Sequence, residues 1–290
     1  MVTTILCLRC LMPLFLGPVA ADDPPAGAVT LRVVPNSTSV LVGDPMLLKG
    51  VLMNGSREVA ILKGPFDSFT YGVRIEVCPP GEKVFRRVNA IDEGLYCSFG
   101  LGRPRELAAG KTVVCYSRVF QEAAFTASGG WQVRIATTVD GKEVVSPPVT
   151  ISVAARAEAV RDILTEFQTE IADCVRSGAY VTADDLRLAL KASEALGSSE
   201  LGRAVTQAHL LRTLRHTDAA RPHALALAAV NKYRGELGPV AREDFDLSTA
   251  ALLIDQKRYD DAKALLDTLP ESSGARENLR ALMLLQQENK

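Results

Sequence analysis

The sequence predicts a multidomain β + α protein: an antiparallel β-sandwich followed by an all-α domain of helical hairpins. Three observations carry this. Apolar residues recur mostly every second position up to Val153, and every third or fourth position after it. Gly, Pro and Asn turns punctuate the first part, whereas only Pro222, Pro239 and Pro270 follow the switch. A short apolar leader precedes both parts. The division expected is a signal peptide over 1–21, a β domain over 28–153 and a helical domain over 155–290.

The leader comes first. Its apolar run is interrupted by Arg9, Pro13, Gly17 and Pro18, whereas a membrane span needs about 20 apolar residues. Val19-Ala20-Ala21 places small residues at the −3 and −1 positions of a cleavage site before Asp22. An uncleaved anchor is the alternative. No later run is long enough to span a membrane, so the chain is expected to be exported, periplasmic or extracellular, and soluble once the leader is removed. Arg9 is the leader's only charged side chain, so its removal shifts the net charge by one from the −1 of the full chain, which has 33 Lys and Arg against 34 Asp and Glu. Neither half is basic, and nucleic acid is not an expected partner.

In the first half, Val29, Leu31 and Val33 alternate with polar residues before the turn Pro35-Asn36-Ser37. Strands follow at 40–42, at 46–53, at 71–77, where Tyr71, Val73, Ile75 and Val77 alternate with Gly72, Arg74 and Glu76, and at 84–88. Further strands fall at 111–120, around Trp131, Val133 and Ile135, and at the closing Val149, Ile151 and Val153. Asn54-Gly55 and Asp140-Gly141 read as tight hairpin turns. Seven to nine short strands in this length give an antiparallel sandwich. Alternation of Trp131 with Val133 and Ile135 puts this ring in the core. Asn36-Ser37-Thr38 and Asn54-Gly55-Ser56 match the glycosylation pattern. The first matters only in a eukaryotic secretory pathway, and turn geometry explains the second.

Leu41-Val42-Gly43-Asp44-Pro45, Leu52-Met53-Asn54-Gly55-Ser56, Leu107-Ala108-Ala109-Gly110-Lys111, the segment from Ser128 through Trp131 to Ile135, and the closing Ser146 to Val153 together resemble the immunoglobulin-like or fibronectin-type modules of exported bacterial proteins. This resemblance implies an Ig-like sandwich and, by itself, no function.

In the second half, Val160, Ile163, Leu164, Phe167, Ile171, Cys174 and Val175 form one apolar stripe, predicting a continuous helix over 157–176. Thr182 caps a second helix with Asp185 at its third position, and Gly197 ends it. Further helices are predicted over 199–215, 222–235, 239–256, 259–268 and 273–287. Ala250-Ala251-Leu252-Leu253, the start Tyr259-Asp260-Asp261-Ala262 and the ending Leu269-Pro270 resemble a tetratricopeptide unit. Tyr180-Val181-Thr182-Ala183 repeats the Tyr-x-x-Ala spacing, and Ala208-His209-Leu210-Leu211 with His223-Ala224-Leu225-Ala226 supplies a degenerate middle hairpin. This likeness implies stacked hairpins, each burying its apolar face against a neighbour; an irregular bundle is the alternative.

Cys78, Cys97, Cys115 and Cys174 remain after the leader. Four cysteines allow three pairings. Cys174 continues the helical stripe and is expected as a buried thiol; the disulfide candidate in the β half is Cys97–Cys115. His209, His216 and His223 are seven apart, so on one helix they would sit about 10.5 Å apart, too far to share a metal ion. The acidic pairs Asp184-Asp185, Asp260-Asp261 and Glu243-Asp244-x-Asp246 are read as helix-start residues, without the twelve-residue calcium loop. Ser128-Gly129-Gly130 is a turn, not a nucleophile elbow. No phosphate-cradling loop precedes a Lys and a Ser or Thr. The expectation is a non-enzymatic binding or scaffold protein without cofactor or metal. It would engage another protein through the helical repeats or a sandwich edge. The alternative is an inhibitor or ligand-recognition module acting through loops such as Pro65-Phe66-Asp67-Ser68-Phe69 and 91–105.

Overall fold

Eleven strands and eight helices are present in the computed structural model, which describes residues 27–62, 72–88, 105–119, 125–217 and 223–288. The leader, its expected cleavage point and the loops 65–69 and 91–104 lie outside those residues. The strands are β1 (Val29–Pro35), β2 (Ser39–Leu41), β3 (Met46–Asn54), β4 (Ala60–Leu62), β5 (Val73–Cys78), β6 (Arg86–Val88), β7 (Arg105–Leu107), β8 (Thr112–Val119), β9 (Gly129–Val139), β10 (Lys142–Val145) and β11 (Val149–Ala154).

Two sheets form. The smaller runs β1-β3-β8, antiparallel throughout. The larger is organised by the 11-residue β9, which pairs β11 and β10 along one edge and β5 and β4 along the other. β2, β6 and β7 extend it. The expectation of a purely antiparallel arrangement needs one correction, because β2 runs parallel to β11, with Val40 opposite Val153. The Asp140-Gly141 turn joins β9 to β10, both residues having positive φ (49° and 74°), as a two-residue hairpin loop requires. Asn54-Gly55 does not make a hairpin: the chain leaves β3 there and crosses to β4 in the other sheet. Asn54 is fully buried and its amide donates to Glu58 O and Leu107 O at 2.8 Å each. A turn signal read from dipeptides cannot say which sheet the next strand joins.

One apolar cluster lies between the sheets, built from Leu48, Leu52 and Cys115 on one side and Ile75, Ile135 and Ile151 on the other. Trp131 belongs to it, 2% exposed, with Nε1 donating to Ala127 O at 2.9 Å and Phe125 edge-on to its ring.

The helices are α1 (Glu158–Glu166), α2 (Gln168–Ser177), α3 (Ala183–Leu196), α4 (Glu200–Arg215), α5 (His223–Glu236), α6 (Pro239–Asp255), α7 (Tyr259–Leu266) and α8 (Gly274–Glu288). The continuous helix expected over 157–176 is broken at Phe167 (φ −113°, ψ 24°). The break leaves the half-buried Val160, Ile163 and Leu164 on the same cluster as Ile171 and Val175, so the apolar stripe is kept while the axis changes. Thr182 caps α3, its hydroxyl accepting from Asp185 N at 3.1 Å, and Ser199 caps α4 through Gly202 N at 3.2 Å.

The two halves share a core. Alternate residues of β3 and β8 divide between two clusters: Leu48, Leu52, Val113 and Cys115 face the larger sheet, while Leu47, Val114 and Tyr116 pack with α6 and α8 residues such as Phe245, Leu252 and Leu279. Period-two geometry makes this division unavoidable once both faces are covered. Val114 N also donates to Ser272 O at 2.9 Å, which occupies the outer edge of β8. α6 is the hub, buried over most of its length. The boundary expected near Val153 thus separates two halves that pack on each other through β3, β8, α6 and α8.

Candidate functional site

α3 and α4 lie side by side and leave an open groove of about 580 Å3 between them. Leu186 and Leu190 supply its apolar lining from α3, and Arg187 and Lys191 flank them one position on. α4 contributes Arg212, with His209 and His216 each one turn away from it. The spacing i, i+3, i+4, i+7 puts each set on one helix face. Among the described residues, no carboxylate lines the groove. Asp184 reaches Arg187 at 3.5 Å on the exposed side, and the Arg212 guanidinium donates to Val181 O, which fixes it against the helix pair. Beyond the groove, Tyr180 donates to Asp255 and lies under the Arg215 guanidinium at 4.1 Å. The result is an apolar trough with cationic walls. Sequence reasoning found these helices but not this surface. The readable signal was the basic row Arg187, Lys191 beside Leu186, Leu190, which has meaning only once α4 supplies the facing row.

The polar junction between the halves is equally specific. Lys49 meets Glu243 at 2.6 Å, and the Tyr116 hydroxyl donates to the same carboxylate. Burial and that carboxylate push the phenol well above its usual range. Arg118 contacts Asp244 at 2.9 Å and Gln207 at 2.8 Å. Arg234 holds Asp246 from within the helical half at 2.5 Å. The reading of Glu243, Asp244 and Asp246 as helix-start charges is therefore corrected: each carboxylate serves an ion pair to another element, because α6 is buried and an unpaired carboxylate there would be costly. Asp184 and Asp185 do sit in the first turn of α3, and Asp260 and Asp261 in that of α7. Asn36 is committed to the junction, donating to Glu200 at 3.3 Å and accepting from Ala241 N at 3.2 Å.

The candidate reactive groups are dispersed. Cys115 is fully buried on β8 with Sγ 3.9 Å from Gly50 O; its candidate disulfide partner Cys97 lies outside the described residues. Cys78 and Cys174 are buried free thiols. Burial, with Asp173 adding to it, pushes Cys174 up to about 12, so no thiolate nucleophile forms there at neutral pH. His209 and His216 sit on the groove. His223 opens α5, with Nδ1 at 3.4 Å from Thr217 Oγ1 and Nε2 at 3.9 Å from Asp261. Thr217 gives its proton to Leu214 O, so this contact ties the ring to the end of α4. Among the described residues, no group of three or more His, Cys, Asp or Glu is placed to hold a metal ion, and no helix is long and apolar enough to cross a membrane.

No protein-family profile and no curated protein sequence matches the chain. Solved structures give weak likenesses. The sporulation control protein Spo0M of Bacillus subtilis is 8% identical, with a TM-score of 0.32 over 50% of this chain and 56% of its own. The β-glucosidase EmGH1 of Erythrobacter marinus is 7% identical, with a TM-score of 0.27 over 43% of this chain and 16% of its own. A family 3 β-glucosidase of Bifidobacterium adolescentis is 12% identical, with a TM-score of 0.25 over 43% of this chain and 17% of its own. The chain thus spans about half the length of the first and about a sixth of the other two. At these TM-scores none carries an argument about fold or function.

Proposed function

We propose that this chain is an exported, non-enzymatic binding protein. In this reading an Ig-like sandwich carries tetratricopeptide-like hairpins, and the α3–α4 groove docks an acidic, amphipathic segment of another protein. The observation that carries it is the groove itself, in which Leu186 and Leu190 lie between Arg187, Lys191 and Arg212, with no carboxylate among the described lining residues. A helix or extended segment with apolar anchors and flanking Asp or Glu would meet both chemistries. The leader supports export, two sheets sharing one core support the sandwich, and the buried Tyr259 and Ala262 on α7 support the hairpin.

Selection from a displayed library of random 15-residue peptides tests the groove. Recovered binders are expected to be rich in Asp and Glu interleaved with Leu or Phe. Their affinity should fall by about tenfold or more against the Arg187→Glu, Lys191→Glu double variant, whose positions are exposed on α3. Binders without acidic enrichment, or binding indifferent to the double charge reversal, would rule this groove out as the docking site.

A further inference from the structure

A second cavity, of about 460 Å3, lies where the helices meet the sheets. Three walls form it: the turn before β3 with Val42 and Asp44, the first turn of α4 with Leu201, and the faces of α1 and α2 that bring Leu164 and Ile171 together across the break at Phe167. The volume falls in the range of small-molecule sites, and junctions between structural units are a preferred location for them.

Its polar groups are specific. Asp44 and Arg156 are ion-paired at 2.6 Å, with side chains 2% and 3% exposed. Asp44 is fully used: it also accepts from Leu41 N at 3.0 Å and Leu201 N at 3.4 Å. Arg156 is not. Its Nε donates to Val42 O at 3.1 Å and one terminal nitrogen to Asp44. The other, Nη1, has no protein partner among the described residues. A guanidinium carries five donors in a fixed fork, and one held this deep with an open nitrogen is a ready anion ligand. Arg161 on α1 and Arg176 on α2 line the same cavity, are exposed, and make no ion pair with a described residue. Among the described residues, three guanidiniums thus share the lining with one carboxylate that is already neutralised.

We propose that this cavity is a binding site for a small amphipathic anion, with a carboxylate or phosphate head at the arginines and an apolar body against Val42, Leu164, Ile171 and Leu201. The charge excess selects the head, and the apolar wall selects the body. The site is separate from the α3–α4 groove and does not depend on its role.

Isothermal titration of the full chain with decanoate, octyl phosphate and octanol tests this. At least one of the two anions should bind at one site per chain, about tenfold or more tighter than octanol. Whichever binds tighter identifies the head group. Arg161→Gln with Arg176→Gln should weaken the anion about tenfold while leaving the melting temperature nearly unchanged, since both side chains are exposed. Leu164→Trp, which fills the cavity from the half-buried face of α1, should abolish binding. Absence of saturable binding by either anion, equal binding of octanol, or binding unaffected by both sets of variants would overturn the proposal.

Discussion

At the residue scale the most consequential side chain is Asp44. It occupies the turn between β2 and β3, yet it anchors Arg156 from the linker after β11 and the second residue of α4. Its removal leaves a buried guanidinium unpaired. Breaking a buried pair on one side typically costs about 3–5 kcal/mol, whereas replacing both partners by apolar groups is close to neutral. Asp44→Ala should therefore lower the urea midpoint steeply, and Asp44→Ala with Arg156→Met should recover most of the loss. A single substitution costing less than about 1 kcal/mol would mean that the pair is hydrated and does not join the two halves. Nothing at position 44 announces this role in the sequence. Leu41-Val42-Gly43-Asp44-Pro45 reads as a turn, and it is one: Asp44 N donates to Leu41 O at 2.9 Å. The long-range partner 112 residues away is invisible to any local pattern.

At the element scale α7 is the sharpest test. Ala262 is fully buried and Tyr259 nearly so, while the adjacent Lys263 is exposed and paired with Asp267 at 2.7 Å. The two neighbours thus separate packing from surface chemistry. Ala262→Leu forces extra methylenes between α7 and its neighbours, an overpacking that typically costs about 1–3 kcal/mol; the melting temperature should fall by several degrees. Lys263→Ala should change it little, since an exposed, solvent-screened ion pair contributes little to stability. Thermal unfolding followed by circular dichroism distinguishes the two, and a thermally silent Ala262→Leu would remove the close helix approach on which the hairpin reading rests. This element was legible because Tyr-x-x-Ala and the flanking apolar row are local. β4 and β7 were not: a three-residue strand with no turn signal around it that closes an alternating run leaves no local pattern to read. The continuous helix expected over 157–176 failed for a related reason. An apolar stripe records which residues face a core, and a bend at Phe167 preserves that list while changing the direction of the axis.

At the scale of the molecule the two halves behave as one body. The smaller sheet is covered on one face by the larger sheet and on the other by α6 and α8, and burial of Leu47, Val114 and Tyr116 in the second interface stabilises the joined state by about 1.5–3 kcal/mol per side chain. Unfolding should therefore be a single cooperative transition in which the near-ultraviolet signal of Trp131 and the far-ultraviolet helix signal coincide. A fragment of residues 22–154 alone would expose that apolar face and should self-associate in analytical ultracentrifugation. Two separated transitions, with a monomeric fragment, would show that the two halves fold independently. The covering of β3 and β8 did have a signature. Met46-Leu47-Leu48 and Val113-Val114-Cys115-Tyr116 are near-continuous apolar runs, the pattern of strands buried on both faces, whereas β5 shows the alternation of a strand buried on one.

The sequence by itself determined the order and type of most elements, the caps of α3, the hairpin at Asp140-Gly141 and the core position of Trp131. All of these follow from interactions within a few residues or from a simple period. Only the tertiary structure decided that β2 runs parallel to β11, that Asn54-Gly55 crosses between sheets, and that Glu243, Asp244 and Asp246 are ion-pair partners. It alone assembled the cationic groove from two helices and the arginine-lined cavity from four segments. The physical reason is common to all of these. Charge pairing, sheet membership and cavity shape depend on distances between residues far apart in the chain, and the local chemistry of each residue is compatible with many such partners.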